Sequence, residues 1–548
     1  MVNYDIFIIG DIMKNKGFTL IELLGVIVIL GIMALIVFPP IINQMKNLRA
    51  SVSSATQKLI FSATDKYMAN NRNTYPRKED ISYCITLQQL VNGGVISSPI
   101  KDAETGEEIS LDHEVLVDLG ASYSATYDLV ETGGCGYIDP TGAKAPELTA
   151  NMIPIVRSDD NTKWLKADVK SEWYNYGDAK WANAVLVTNS SRAYYKRVEV
   201  GTEIAESDVL MYYVWVPRYR YKIFNAPAIA KTIQKIEIIF EGKRTTESDG
   251  DANGEWLTHP AFDFGSLKLN GLWIGKYETA YSGATSAASA EKSIPEEHKA
   301  IIKPNSYSWR SITVFNMFTV SNELTKNGNK YGLNTTSDTH MIKNTEWGAI
   351  AYLTTSDYGK YGNPTYTNAS GLEKELWINN SSTYVTGCAG SSINDSLYAG
   401  CESAFSSTNG VKASTTGNVY GIYDMSGGAL DYVMAAPYNT GNTTVAISST
   451  GFSQVVIDGA SMIKYVDKYL YGTSYNDQNA YNRRILGDAT GETRGWNGDR
   501  AFMTYSGNWL TRGGHADYYA EAGIFSSAPT TGAAGLRLAF RVTLIPLV

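Results

Sequence analysis

The feature that most limits what this chain can become lies near its start. From Leu23 to Ile42 no residue is charged, and two cations, Lys14 and Lys16, precede the run. As a helix the run extends about 30 Å, enough to cross a bilayer core. A secretory signal has a shorter apolar core with a small-x-small cleavage site after it. Here the small residue, Gly17, comes before the run and no such site follows, so the pattern predicts a helix that is retained. Glu22 interrupts the apolar pattern. A carboxylate at mid-bilayer depth costs about 2.5–3.5 kcal/mol on insertion scales. Either Glu22 stays wet at the interface, or something neutralises it. A cut after Gly17 creates an ammonium on Phe18, and the ammonium of a neighbouring subunit could neutralise Glu22 within a helical bundle.

The segment from Lys16 to Pro40 resembles the class III signal of type IV pilins and type II secretion pseudopilins. Gly17, Phe18, the TLIELL run with Glu22, and Pro39 carry the resemblance. It implies that a prepilin peptidase cuts after Gly17 and N-methylates Phe18. It also implies that Glu22 steers subunit assembly and that Pro39 marks a kink. Residues 1–17 are then a leader, with 1–12 an upstream extension or misassigned start before Met13. Residues 18–69 are the pilin helix and 70–145 a small pilin-like head. Past Pro40, Met45, Leu48, Val52, Leu59, Ile60, Ala63 and Tyr67 keep helical spacing, with Lys46, Arg49, Lys58 and Lys66 elsewhere. LQQLVNGGVISSPIKDAETGEEI reads as a short helix, a Gly-Gly stop and a turn-rich strand region.

The 548 residues leave room for about three or four domains. Lys+Arg is 47 against Asp+Glu 55, a net charge of −8, which argues against nucleic acid as a partner. With 37 Tyr and 49 Gly and only 19% charged residues, the chain is too aromatic to be disordered and suits an extracellular β-rich protein. There is no CxxC pair or Cys/His cluster to suggest structural zinc. The four cysteines allow three pairings. Cys84 with Cys135 and Cys388 with Cys401 keeps each pair inside one expected domain, and export permits oxidation; four inert thiols are the alternative.

TGAKAPELTA (141–150) reads as a linker, and 146–265 as a linker and β-rich accessory region. Trp164, Trp173, Tyr174, Tyr176 and Trp181 read as core aromatics, with a carbohydrate platform as the alternative. VLMYYVWVPRYRYKIF reads as a strand in which Pro217 marks an edge or a bend. KIEIIFEG reads as a short alternating strand.

Residues 266–548 carry four informative segments. WIGKYE reads as an apolar strand ending at a charged turn. HMIKNTEWGAIAYLT reads as one amphipathic helix with Trp347, Ile350 and Ala351 on one face. GNVYGIYDMSGGALDYVM reads as a turn and strand, and LTRGGH…GLRLAFRV as strands around a Gly-Gly turn. In this order they resemble the formylglycine-generating enzyme family, whose fold is related to C-type lectins. The expected fold class is therefore α+β: a long N-terminal transmembrane and assembly helix with a small head, then a large irregular β-rich lectin-like domain. That family's enzymes place a copper-binding cysteine pair just after the RGGS motif. Here HADYYAEAGIFSS follows Arg512-Gly513-Gly514, with Tyr518 and Gly523 roughly where the thiols would be. The resemblance thus implies the fold without the oxidase chemistry. Gly428 also replaces the family Asn at a calcium-associated turn, so a structural calcium has no specific motif and no other cofactor is expected.

His515 reads as a surface or hydrogen-bonded loop histidine; with Asp517 and Glu521 nearby a metal site is the alternative, though spacing alone does not carry it, and Arg537 and Arg541 read as structural partners of buried carboxylates or carbonyls. The long polar stretches 362–416 and 436–500 read as functional loops or variable decoration. The resulting expectation is a non-enzymatic pilin-like subunit, minor or at the tip, of a filament or pseudopilus. Before assembly it is a single-pass cytoplasmic membrane protein with its C-terminal domain outside; afterwards it is at the cell surface. Its expected partners are prepilin peptidase, other pilin subunits, the membrane and a carbohydrate or protein surface ligand, with no nucleic acid. A tethered formylglycine-type oxidase and an anchored receptor that does not polymerise are the alternatives.

Overall fold

The computed structural model describes residues 52–547 except 73, 76, 78–80, 120–123, 132–134, 150, 223–235, 241–255, 363–374, 439–449, 471–484 and 503–508. Gly17, Phe18, Glu22 and Pro39 therefore lie outside the described residues. Among the described residues no helix is long and apolar enough to cross a membrane.

The chain divides into two compact units. One holds residues 52–67 with Gln88–Leu111, the other Met68–Leu87 with Asp112–Val548. The first takes the helix Ser54–Asn70 as far as Tyr67, with Thr56, Ile60, Ala63 and Thr64 buried. Leu59, expected on the apolar stripe, is instead 58% exposed. The Asp102 carboxylate gathers the acidic turn beside this helix. It accepts from Ser53 N at 2.6 Å and from Glu104 N and Thr105 N at 3.0 Å.

The second unit begins with a three-stranded antiparallel sheet of Ile81–Thr86, Glu114–Leu119 and Ala125–Val130. EVLVDL alternates as a half-buried strand should, with Val115, Val117 and Leu119 inward. Cys84 is bonded to Cys135, with Cα atoms 6.0 Å apart.

A seven-stranded antiparallel sheet follows. Its spatial order is Ser337–Met341, Val542–Pro546, Gly271–Gly275, Val209–Pro217, Asn183–Val187, Ile153–Arg157, Trp164–Lys166. It takes strands from both sides of the 265/266 division. Val209–Pro217 is a central strand, buried at every position, which is why its sequence is a near-continuous apolar run rather than an alternation. The edge reading of Pro217 is thus corrected, and the bend stands. Pro217 closes the strand opposite Gly271, and Tyr219–Lys222 then joins a different sheet. Trp215 and Trp273 face each other across the strands, ring centroids 5.2 Å apart. Buried indoles need an acceptor. The expected linker supplies it: Trp215 Nε1 donates to Lys144 O and Trp273 Nε1 to Glu147 O. The 141–149 segment is accordingly a packed strap, with Ala143 buried.

Two further expectations need correction. Ser337–Met341 is a strand, and the helix starts only at Asn344. That helix, Asn344–Thr354, is buried on all sides rather than amphipathic. Gly348 lets it press on the next loop, because a β-carbon there would fall 2.1 Å from Gly487 O. The charged turn after WIG is also buried. Lys276 Nζ donates to Asn183 Oδ1, Val419 O and Gly421 O, and Glu278 lies fully inside.

Glu346, at the first turn of the buried helix, takes three donors: Lys343 N, Thr543 Oγ1 and His340 Nε2. His340 Nδ1 meets Asp338 Oδ1 at 2.8 Å. Burial alone would depress the His340 pKa, but the two carboxylates hold it up to about 9. A folded pKa above the unfolded 6.5 stabilises fully below about pH 6.5, and that contribution is lost as pH rises through 9. At most it is worth about 3 kcal/mol. Urea titrations should show the gap between wild type and His340→Gln closing from pH 6.5 to 9.5; a constant gap would show that His340 is neutral.

Candidate ligand-binding site

A four-stranded sheet of Gly523–Thr530, Trp509–Gly513, Leu430–Val433 and Leu538–Phe540 carries the site. Three of the sequence segments meet beneath it. Arg512 donates to Asn344 Oδ1, Asp488 O, Ala489 O and Ile524 O, and Trp347 Nε1 donates to Ile524 O. Arg541 donates to Gly275 O, Tyr423 O and Asp424 O, and its Nε lies 3.3 Å from Asp431 Oδ2. Glu278 accepts from Ala429 N and Ser308 Oγ. Burial and the neighbouring carboxylates raise the Glu278 pKa well above the usual range. Burial also takes Asp431 up to about 7, against the pull of Arg541. These groups are a scaffold for the surface above them.

Gly513 pairs with Gly523 in the strand register, so residues 514–522 form a pinched turn. Gly513 and Gly514 have φ of 83° and 69°, and a β-carbon on Gly514 would meet Ala522 Cα at 2.8 Å. Ala516 N donates to Gly428 O, tying the turn to the Ser-Gly-Gly bend. Within the turn Tyr519 has φ 47° and ψ −125°, and it is 42% exposed. A residue with a side chain held there costs about 1–3 kcal/mol, a strain that tends to accumulate at binding and catalytic sites.

Of the two loop readings of His515, surface or hydrogen-bonded, the structure has the second: the residue is buried. Its Nδ1 lies against Asp517 Oδ1, and its Nε2 accepts from Arg537 Nη1 at 3.2 Å. Arg537 also pairs with Asp517 Oδ2 at 2.8 Å. Burial, then Arg537 and Arg500, bring the His515 pKa down to about 4, so it is neutral at physiological pH. Arg541 is a buried structural partner as expected, whereas Arg537 is a surface residue closing this triangle. The His515 ring stands 4.0 Å from that of Tyr518.

Beside Tyr518 opens a cleft of about 390 Å³ lined by Leu430, Arg500, Phe502, Thr511, Tyr518, Ala528, Pro529, Thr530 and Leu538. Arg500 is fixed by its backbone, which bonds to Glu521 O and Ser527 N. Its guanidinium lies over Phe502 and Tyr518, at 5.3 and 4.7 Å. Leu536, next to Arg537, is 61% exposed. Arg310 donates to Leu536 O and stacks on Tyr384, which also feels Arg537. Cys388 and Cys401, Cα atoms 5.3 Å apart, close a loop in which Leu397 and Tyr398 are exposed, and Tyr398 bridges to Ser381.

Arg500, Phe502 and Tyr519 were missed as site residues. Arg500 and Phe502 sit in an aperiodic Gly- and Asn-rich stretch, and nothing local says that it folds against the 509–530 hairpin. Among the described residues, one group has metal-ligand spacing, Cys84, Glu114 and Cys135, and its two sulfurs are joined.

Residues 12–38 match the model of the prokaryotic N-terminal methylation motif. The chain carries a prepilin-type signal. No curated protein matches it. Among solved structures, Treponema denticola variable protein 1 aligns at 10% identity, over 63% of this chain and 98% of its own, with a TM-score of 0.23.

Proposed function

We propose that this chain is a pilin-like subunit, at a minor or tip position of a filament or secretion pseudopilus, which displays a non-catalytic, lectin-like recognition domain. The methylation motif over 12–38 carries the first half of this reading. The second half is supported by the exposed, strained Tyr519 beside a cleft with aromatic and basic walls. The order of the WIGKYE, TEWGAIAYL, YDMSGGALDYV and RGGH segments favours a formylglycine-generating-enzyme-like fold for 266–548. A bulky head of this kind suits a low-copy position better than a packed shaft.

The family's oxidase chemistry needs a thiolate pair to take copper. No Cys lies between Gly514 and Gly523, and Cys388 and Cys401 are bonded to each other. The full chain in detergent, loaded with Cu(I) and offered a Cys-x-Pro-x-Arg peptide, should form no aldehyde above the metal-only blank. Aldehyde above that blank would make the domain an enzyme.

Assembly is tested by shearing surface filaments and probing for this chain. Wild type should be recovered there. Glu22→Ala should be inserted and cleaved but at least tenfold depleted from filaments, because its carboxylate serves a neighbouring subunit's ammonium rather than the monomer. Equal recovery of both would remove the assembly role of Glu22, and absence of wild type from filaments would favour the anchored receptor.

A further inference from the structure

We propose that the cleft beside Tyr518 binds a carboxylate-bearing pyranose, a uronic or sialic acid residue of a glycan, with Arg500 taking the carboxylate. This rests on the reading of the 266–548 region as a recognition domain and names its ligand class.

Arg500 is the group that calls for a partner. Its guanidinium lies on the faces of Phe502 and Tyr518, and its Nε is shut off from water with no hydrogen-bond acceptor. Among the described residues no carboxylate pairs with it. With the Nε closed off, the two Nη groups are the ones left to meet a planar, two-oxygen acceptor, which a carboxylate supplies. The nearby acid does not compete, since Asp517 is already engaged by Arg537 and His515. In the larger cleft of about 500 Å³ around Trp164, by contrast, Lys163 pairs with Glu203, Lys303 pairs with Glu206, and Arg157 bonds to Asn161.

The rest of the cleft fits a ring. Leu430, Leu538, Ala528 and Pro529 give apolar lining, and the Tyr518 ring adds an aromatic one. Tyr519, the residue after Tyr518, is exposed. An extended acidic peptide is disfavoured for a geometric reason. It would add to a free strand edge, yet the edge strand Gly523–Thr530 is covered where Phe502 N donates to Ser527 O and Ser527 N to Arg500 O. A volume near 390 Å³ also sits at the small end of ligand pockets.

The test uses the full chain in detergent with four probes: trigalacturonate, its carboxyl-reduced galactose trimer, sialyllactose and lactose. One acidic probe should bind at least tenfold more tightly than its neutral counterpart, and which one does so separates a uronic from a sialic source. Arg500→Gln should lose at least tenfold, and Arg500→Lys should lose less. Equal binding of acidic and neutral partners, no binding of any probe, or an unchanged Arg500→Gln would overturn the proposal. If Arg500→Gln fails to fold, the probe pairs on wild type still decide. Surface attachment of sheared filaments is measured in parallel for Thr530→Trp, which fills the cleft. Attachment lost in that variant while no acidic probe binds would overturn the acidic-sugar assignment and leave the recognition reading standing. Attachment unaffected by it would overturn both.

Discussion

Replacing Gly17 with a bulky residue should stop maturation outright. The precursor should accumulate in the membrane, and no chain should appear in sheared filaments. The cut must fall where an apolar run begins, and Gly17 is the small residue between Lys16 and Phe18. Residues 12–38, which match the methylation motif, span that junction. N-terminal sequencing of the wild-type exported chain should read Phe18 first, with intact mass showing one added methyl. A mature chain beginning elsewhere would remove the pilin-type reading, because the proposed partner of Glu22 is the new ammonium at Phe18. A normal yield of cleaved Gly17→Trp would show that another feature directs the cut.

The second large effect is expected at Arg541. Glu278, Asp424 and Asp431 are all fully buried, and Arg541 is the cation they share. Arg541→Met deletes that charge and leaves Gly275 O, Tyr423 O and Asp424 O without their donor. Breaking one side of such a buried cluster costs about 3–5 kcal/mol. Urea midpoints of the full chain in detergent should fall accordingly. Arg541→Lys should fall less, since it keeps the charge and loses the fork. Adding Asp431→Asn to the Met variant should recover part of the loss. A loss under about 1 kcal/mol would mean that the carboxylates are already neutral without the arginine.

How far the fold was legible can be judged from single residues. Trp164, Trp173, Tyr174, Tyr176 and Trp181 read as core and are buried. KIEIIFEG read as alternating, and Glu237–Phe240 alternates outward and inward. Pro217 showed that the chain turns, but not that the strand before it is central, because centrality depends on strands that arrive from residues 153 to 546. Lys276 and Glu278 read as a charged turn after the strand, with nothing to say that the turn is buried. Charge in a sequence signals water unless a partner is known, and apart from Ser308 the partners are far off in the chain, Asn183 for Lys276 and Ala429 for Glu278.

The site divides along the same line. The sequence alone established the N-terminal signal, because every element of it is contiguous: a small residue, the cut, one acid and an apolar run whose length is a property of the chain itself. It also marked Gly513 and Gly514, since two adjacent glycines after a strand announce a turn. The tertiary structure decided that Arg500 crosses to Tyr518, that His515 is a neutral bridge between Asp517 and Arg537, and that the linker is a strap satisfying two indoles. Each of those depends on which distant backbone supplies an acceptor or a wall. That is fixed by strand order and register, and neither is encoded at the residue concerned.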